Sequence, residues 1–316
     1  VTDNEKSDLN IYLTMLKSYI NSNVKSKNKE IQSNDVVEHI EEQEDHLHEL
    51  LKELNSLIGL EEVKKDVNSL INLLQIRRIR EERGMTQMPV SLHLVFSGNP
   101  GTGKTTVARL LAKVYCELGV LSKGHLVEVD RSGLVGGFIG QTAIKVQEVI
   151  QKSLGGILFI DEAYSLTKNK NENDYGYEAV DTLLKAMEDH RDDLVVIVAG
   201  YPDLMEEFLN SNPGLRSRFK KFIHFEDYNA DELIGIFKSL CEKSGYRASE
   251  ECMRFTQNYF EQKNETHNEN FANGREVRNY FELAMVNQAK RLSLDKDISN
   301  DKLEELTLAD VENIVL

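Results

Sequence analysis

The chain has 316 residues and a formal net charge of −15, from 53 acidic and 38 basic side chains. That length is enough for a real core in one large or two modest domains. The acidic excess argues against non-specific binding to nucleic acid or anionic membranes, which needs a positive surface, though not against a local basic pore.

At the N-terminus, Leu9, Tyr12, Met15, Leu16, Tyr19 and Ile20 share one stripe at helical spacing. Residues 21–35 are rich in Asn, Lys and Ser and read as a linker. Residues 36–57 are again helical and acidic, with Leu47, Leu50, Leu51 and Leu54 as the apolar stripe of a helical hairpin. From residue 58 to 227, short apolar runs alternate with helical patterns. Residues 92–97, 126–129, 157–160, 195–199 and 222–225 predict strands; 105–118, 143–153, 178–188 and 204–210 predict helices. Such alternation implies a mostly parallel sheet covered on both faces. Beyond Asp227 the strand signal stops, and 230–244, 250–262 and 275–292 predict helices, with a last one after Asp301. The expected organisation is a helical extension (1–53), an α/β domain (54–227) and a small helical domain (228–316). Cys116, Cys241 and Cys252 have no metal-ligand spacing and read as reduced thiols of a cytoplasmic protein. No apolar run approaches the ~20 residues of a membrane helix, no signal peptide is visible, and the histidines do not cluster as metal ligands.

The segment HLVFSGNPGTGKTTVARLLAKVY is a strand, a glycine-rich turn and an amphipathic helix. It contains Gly98-Asn99-Pro100-Gly101-Thr102-Gly103-Lys104-Thr105, a complete G-x-x-x-x-G-K-[ST] phosphate loop. Without side chains at Gly101 and Gly103, backbone N–H groups can wrap phosphates, and the following helix presents its positive end. Lys104 offers a mobile cation to the β- and γ-phosphates of ATP, and Thr105 a hydroxyl to Mg²⁺. Downstream, Gly156-Ile157-Leu158-Phe159-Ile160 is an apolar run ending in Asp161-Glu162. Asp161 is placed to hold Mg²⁺ through water, and Glu162 to polarise the attacking water as general base.

These residues, with the helical C-terminal region, resemble an AAA+ ATPase. LIGLEEVKKDV (57–67), SGNPGTGKTTVARL (97–110), LVGGFIGQTA (134–143), GGILFIDEAYSL (155–166), VIVAGYPDLM (196–205), NPGLRSRF (212–219) and FANGREVRN (271–279) narrow it. Over roughly residues 54–292 the chain is similar to the CbbX/CfxQ–SpoVK family, and also to the ATPase domain of the EccA proteins of type VII secretion. The resemblance implies an α/β P-loop NTPase fold: a five-stranded parallel sheet sandwiched by helices, then a small all-α lid. It implies nucleotide contacts from Gly98 through Thr106, with Ile58 and Gly59 against adenine. Arg275 matches the second sensor, which reaches the γ-phosphate from the lid. Arg216 and Arg218 match the region that supplies arginine fingers to a neighbouring subunit, and Phe138 and Ile139, followed by Gly140, match the pore loop. One departure stands out: Ala199-Gly200-Tyr201 occupies the stretch where many AAA+ proteins carry a polar first sensor, so none is assigned.

The softer assignments have plainer alternatives. Arg216 and Arg218 could pair with local carboxylates on the surface; Arg275 could cap a helix. Phe138 could be a core aromatic, although Gly136, Gly137 and Gly140 around it suggest an exposed loop. Residues 168–175 read as a solvated connector. The function implied is a ring homo-oligomer, a hexamer, that remodels or threads a protein substrate; the candidate targets are an inhibited Rubisco, a sporulation factor or a secretion component, with an Asn- and Lys-rich composition leaning toward a SpoVK-like protein. Rival expectations are an AAA+ machine acting on DNA, which the acidic balance disfavours, and a low-turnover nucleotide switch, which an intact Glu162 disfavours.

Overall fold

All five predicted apolar runs are strands: β1 (Leu94–Gly98), β2 (Leu126–Val129), β3 (Gly156–Ile160), β4 (Leu194–Gly200) and β5 (Lys221–Phe225). The structure is a computed structural model that describes residues 46–86, 90–138, 140–168, 174–265, 271–295 and 298–315. The five strands form one sheet in the order β2-β3-β4-β1-β5, and every pairing is parallel. Each residue of β3 and β4 is buried, which is why both read as unbroken apolar runs rather than alternating ones. The edge strands β2 and β5 keep exposed positions.

Helices cover both faces: α1 (residues 46–56), α2 (Glu61–Glu82), α3 (Lys104–Glu117), α4 (Arg131–Leu134), α5 (Gln141–Ser153), α6 (Gly176–Asp189), α7 (Pro202–Asn210) and α8 (Pro213–Arg218). One core joins Val95, Leu158, Ile160, Val196 and Val198 of the strands to Val146, Val180, Leu183, Phe208 and Leu215 of α5 to α8. The strand residues that alternate with these include Phe96 and Phe159, fully buried and packed edge to face at 6.5 Å, with Phe225 at 4.9 Å from Phe96. Fully burying such a side chain is worth roughly 1.5–3 kcal/mol over leaving it exposed.

After β5 come α9 (Ala230–Lys243), β6 (Arg247–Ala248), α10 (Glu250–Glu265), α11 (Gly274–Ser293), α12 (Asn300–Glu304), β7 (Glu305–Leu306) and α13 (Leu308–Val311). An Asn229/Glu232 capping box starts α9. These helices share their own core, with Phe237, Phe260 and Tyr280 at its centre. The last segment is tied back to α11 by a two-bond pair from Arg291 to Asp310, both at 2.8 Å, and by the Gln288 amide, which donates to the Lys302, Leu303 and Glu305 carbonyls.

The structure adds to the expected elements and corrects one of them. Helix α2 is not among the predicted elements, although its buried Val63, Val67, Leu70, Ile71 and Leu74 recur at helical spacing. The strand signal does not stop at Asp227, because β6 and β7 form a parallel ladder two residues long, too short to show a period. Residue 53, where the expected extension ends, lies within α1, whose Leu50, Leu51 and Leu54 are buried. The predicted helix at 9–20, the linker at 21–35, Ile139 and residues 169–173 lie outside the described residues. Among the described residues, no helix is long and apolar enough to cross a membrane.

Candidate nucleotide site

Strand β1 lies between β4 and β5, with Ser97 opposite Gly200 and Gly98 opposite Phe225. The chain therefore leaves the C-terminal edge of the sheet where strand order reverses, the place at which open α/β sheets form ligand crevices. The loop from Asn99 to Gly103 follows, and α3 begins at Lys104 with Gly103 at its N-cap, φ 93°. No side chain caps that helix, so its first N–H groups are available to an anion.

A cleft of about 540 Å³ opens over this point. The phosphate loop lines it with Gly98, Pro100, Gly101, Gly103, Lys104, Thr105 and Thr106; β3 lines it with Asp161 and Glu162; α11 lines it with Arg275. Asn99 and Thr102 belong to the loop but turn away from the cleft. The Asn99 amide donates to both Asp227 oxygens at 2.8 and 3.1 Å, and the buried Thr102 hydroxyl donates to the Asn99 carbonyl at 2.8 Å. They hold the loop's shape, leaving contact to backbone groups.

Lys104 Nζ donates to the carbonyls of Gly98 at 2.9 Å and Asn99 at 2.7 Å. Burial lowers its pKa from the ordinary lysine value; Asp161 and Asp227 oppose that shift, while Arg275 adds to it. The Asp161 N–H donates to the Val129 carbonyl at 2.8 Å, fixing the end of β3 against β2. Glu162 adopts φ 48°, ψ 43°, a left-handed conformation rare outside glycine. It arises where β3 turns at once into the short 3₁₀ helix Ala163–Leu166, and it sets the carboxylate at the cleft.

Among the described residues no group of three or more His, Cys, Asp or Glu could form a self-contained metal cage. The Thr105 hydroxyl and the carboxylate of Asp161 are nevertheless hard oxygen donors. That small set suits Mg²⁺, which usually keeps several waters and binds through one or two protein groups plus substrate phosphates. Thr105 Oγ1 also lies 3.5 Å from Glu128 on β2.

Leu57, Ile58, Leu60, Ile236 and Leu240 also line the cleft, an apolar set suited to a base. Gly59 (φ 62°) does not face the cleft; it makes the turn before α2, and a Cβ there would collide with the Glu232 carboxylate. Sequence reasoning missed Tyr201, Tyr228, Lys243 and Arg278, all of which line the cleft. Arg278 was legible, being three residues after Arg275 and so on the same helical face. Tyr228, whose hydroxyl donates to the Thr102 carbonyl at 3.3 Å, and Lys243 arrive only through the docking of the helical region.

Three predicted residues are placed elsewhere. Arg216 makes a two-bond pair with Glu206 at 2.6 and 3.1 Å, and Arg218 reaches Glu188 at 3.5 Å. Neither lines the chain's own cleft. Phe138 is 73% exposed, and a Cβ added at Gly137 or Gly140 would meet nothing within 4 Å; it is not a core residue.

Residues 94–227 match the model of the ATPase family associated with various cellular activities (AAA), and residues 229–315 that of the AAA lid domain. Stage V sporulation protein K of Bacillus subtilis (strain 168) is 44% identical over 268 residues, 83% of each chain. The chain belongs to the AAA ATPase family, in the branch of SpoVK and CbbX. Protein CbbX of Cereibacter sphaeroides is 46% identical over 246 residues, 77% of this chain and 79% of CbbX. The chloroplastic ribulose bisphosphate carboxylase/oxygenase activase of Cyanidioschyzon merolae (strain NIES-3377 / 10D) is 43% identical over 247 residues, 78% of this chain and 84% of the activase. In fold, a mutant RuvB of Thermotoga maritima superposes with a TM-score of 0.51 at 20% identity, covering 79% of this chain and 70% of RuvB. As a member of this AAA branch the protein binds nucleotide and hydrolyses ATP.

Proposed function

We propose that the protein is the subunit of a hexameric ring that uses ATP hydrolysis to remodel or thread a protein substrate. The observation that carries this reading is Phe138: a large aromatic side chain held in solvent on a glycine-flanked loop and not among the residues that line the nucleotide cleft. An aromatic ring there grips extended chain without reading its sequence.

Within the cleft, the backbone from Gly98 to Thr106 cradles the phosphates, Lys104 neutralises them, and Ile58 packs on adenine while Gly59 shapes the turn beside it. Thr105 and Asp161 would hold Mg²⁺, which supplies charge neutralisation at the β- and γ-phosphates. Glu162 takes the proton of the attacking water, and Arg275 steadies the γ-phosphate from the lid. Arg216 and Arg218, absent from their own cleft, complete a neighbour's, exchanging the Glu206 and Glu188 carboxylates for phosphate oxygens. The ATPase domain then spans residues 54–227 and the lid 228–316, preceded by the N-terminal extension, residues 1–53. A reducing cytoplasm suits the three free cysteines, two of them buried. Stage V sporulation protein K, CbbX and the activase are similar to this chain to nearly the same degree, and the Asn- and Lys-rich composition leans toward a substrate in sporulation.

The test is capture by Glu162→Gln, which retains ATP without hydrolysing it. With ATP, the variant should hold a discrete polypeptide that ADP releases. If the same material elutes with either nucleotide, the remodelling reading fails.

A further inference from the structure

We propose that Asn273 is a positioning residue that docks the lid onto the phosphate loop through a shared carboxylate, Asp227, and so sets where Arg275 stands over the cleft. The inference rests on the reading of that cleft as the ATP site.

Asn273 immediately precedes α11 and is fully buried. Its Nδ2 donates to Asp227 at 2.7 Å and lies 3.4 Å from the Pro100 carbonyl oxygen, and its Oδ1 accepts the Tyr228 N–H at 2.9 Å. Two acceptors on one side and a donor on the other fix which end of the amide is nitrogen. Asp227 in turn accepts from the Asn99 amide of the phosphate loop through both oxygens. One carboxylate is therefore held by a loop residue and a lid residue at once. Asp227 also faces Lys104, whose protonated form it favours.

The backbones meet at the same place. The Gly274 N–H donates to the Gly101 carbonyl at 3.1 Å. Gly101 has φ 75°, and a Cβ there would run into the Ala272 carbonyl oxygen. This glycine serves close approach of the lid as well as of phosphate. Asn273 itself sits at φ 51°, ψ −128°, a conformation that glycine adopts freely and asparagine does not. Its side-chain bonds hold it there against that preference. Arg275 follows two residues later, its N–H bonded to the Ala272 carbonyl at 3.0 Å in the first turn of α11. Loop, shared carboxylate, Asn273 and sensor arginine thus form one short rigid path from the phosphates to the lid.

The experiment measures steady-state ATPase and binding of a methylanthraniloyl-ATP probe, with thermal melts, on the full chain. Asn273→Gly keeps the backbone conformation and removes the bonds. Its kcat should fall on the order of tenfold or more, the scale for losing hydrogen bonds to a charged group. Adding Arg275→Ala to it should cost nothing beyond Arg275→Ala alone, because both act through one arginine. Wild-type kcat in Asn273→Gly, or full additivity of the pair, overturns the proposal. Asn273→Asp tests the same contact in a second way: it keeps the side chain's size but sets two carboxylates together and turns an acceptor toward the Pro100 carbonyl. Its kcat should fall at least as far as that of Asn273→Gly, and wild-type kcat in it also overturns the proposal. Lys104→Ala, run in parallel, separates the two levels: probe binding retained there refutes the ATP site itself, whereas binding lost there with an inert Asn273→Gly refutes only the docking role.

Discussion

The Lys104 ammonium lies 2.7 Å from the Asn99 carbonyl oxygen, so the loop's own backbone satisfies the cation that phosphates are to claim. Because burial already disfavours its charge, Lys104 gains most when an anion enters. Lys104→Ala should weaken ATP binding on the order of a hundredfold or more, the worth of two hydrogen bonds from a charged donor. Titration with the fluorescent probe checks this; affinity close to wild type would remove the phosphate-loop assignment.

Glu162→Gln keeps the size of the side chain and the left-handed turn at its base but replaces the base with a carboxamide. Turnover should drop by about 10²–10⁴, the usual contribution of a positioned general base, with ATP affinity retained. Single-turnover hydrolysis of radiolabelled ATP separates the two; an unchanged rate would move the base elsewhere.

The site was legible where local chemistry makes it. The phosphate loop and Asp161-Glu162 are contiguous in sequence, each attached to a buried strand whose apolar run announces it. The cleft's other wall was less so. Lys243 and Tyr228 face the loop only after the helical region docks, and Asn273 looks like an ordinary loop residue until its buried bonds to Asp227 and Tyr228 are seen. The ring contacts expected of Arg216 and Arg218 involve a second copy, so a single chain shows only their resting partners.

His93 supplies a pH dependence. Burial, with Arg218 nearby, lowers its pKa from 6.5 to about 4, and its Nδ1 accepts the Val196 N–H at 3.0 Å. Below pH 6.5 the unfolded chain takes up a proton that the folded chain refuses until about pH 4. Stability therefore falls with falling pH across that window, by up to about 3 kcal/mol from this group, and is unaffected above it. His93→Gln keeps an acceptor without the titration. Urea melts from pH 7 to 4.5 should show a shallower loss in the variant; parallel curves would contradict the assignment.

Phe138→Ala should cost little stability, within about 0.5 kcal/mol as for a surface site, rather than the ~3–5 kcal/mol of a buried phenylalanine. Probe affinity should be retained while stimulation of the ATPase by captured substrate disappears. A large fall in melting temperature, or undiminished stimulation, would count against the gripping loop.

The central claim is an ATP site finished by a neighbouring copy, and mixed rings test it most directly. Lys104→Ala retains the fingers and lacks phosphate binding; Arg216→Ala/Arg218→Ala has the reverse. Each should be inactive alone, since a finger is worth about 10³-fold or more in related phosphoryl transfer. ATPase activity measured in co-assembled mixtures, with mixed assembly verified by native mass spectrometry, should rise well above the sum of the two. Mixed assemblies no more active than their parts would contradict a shared site.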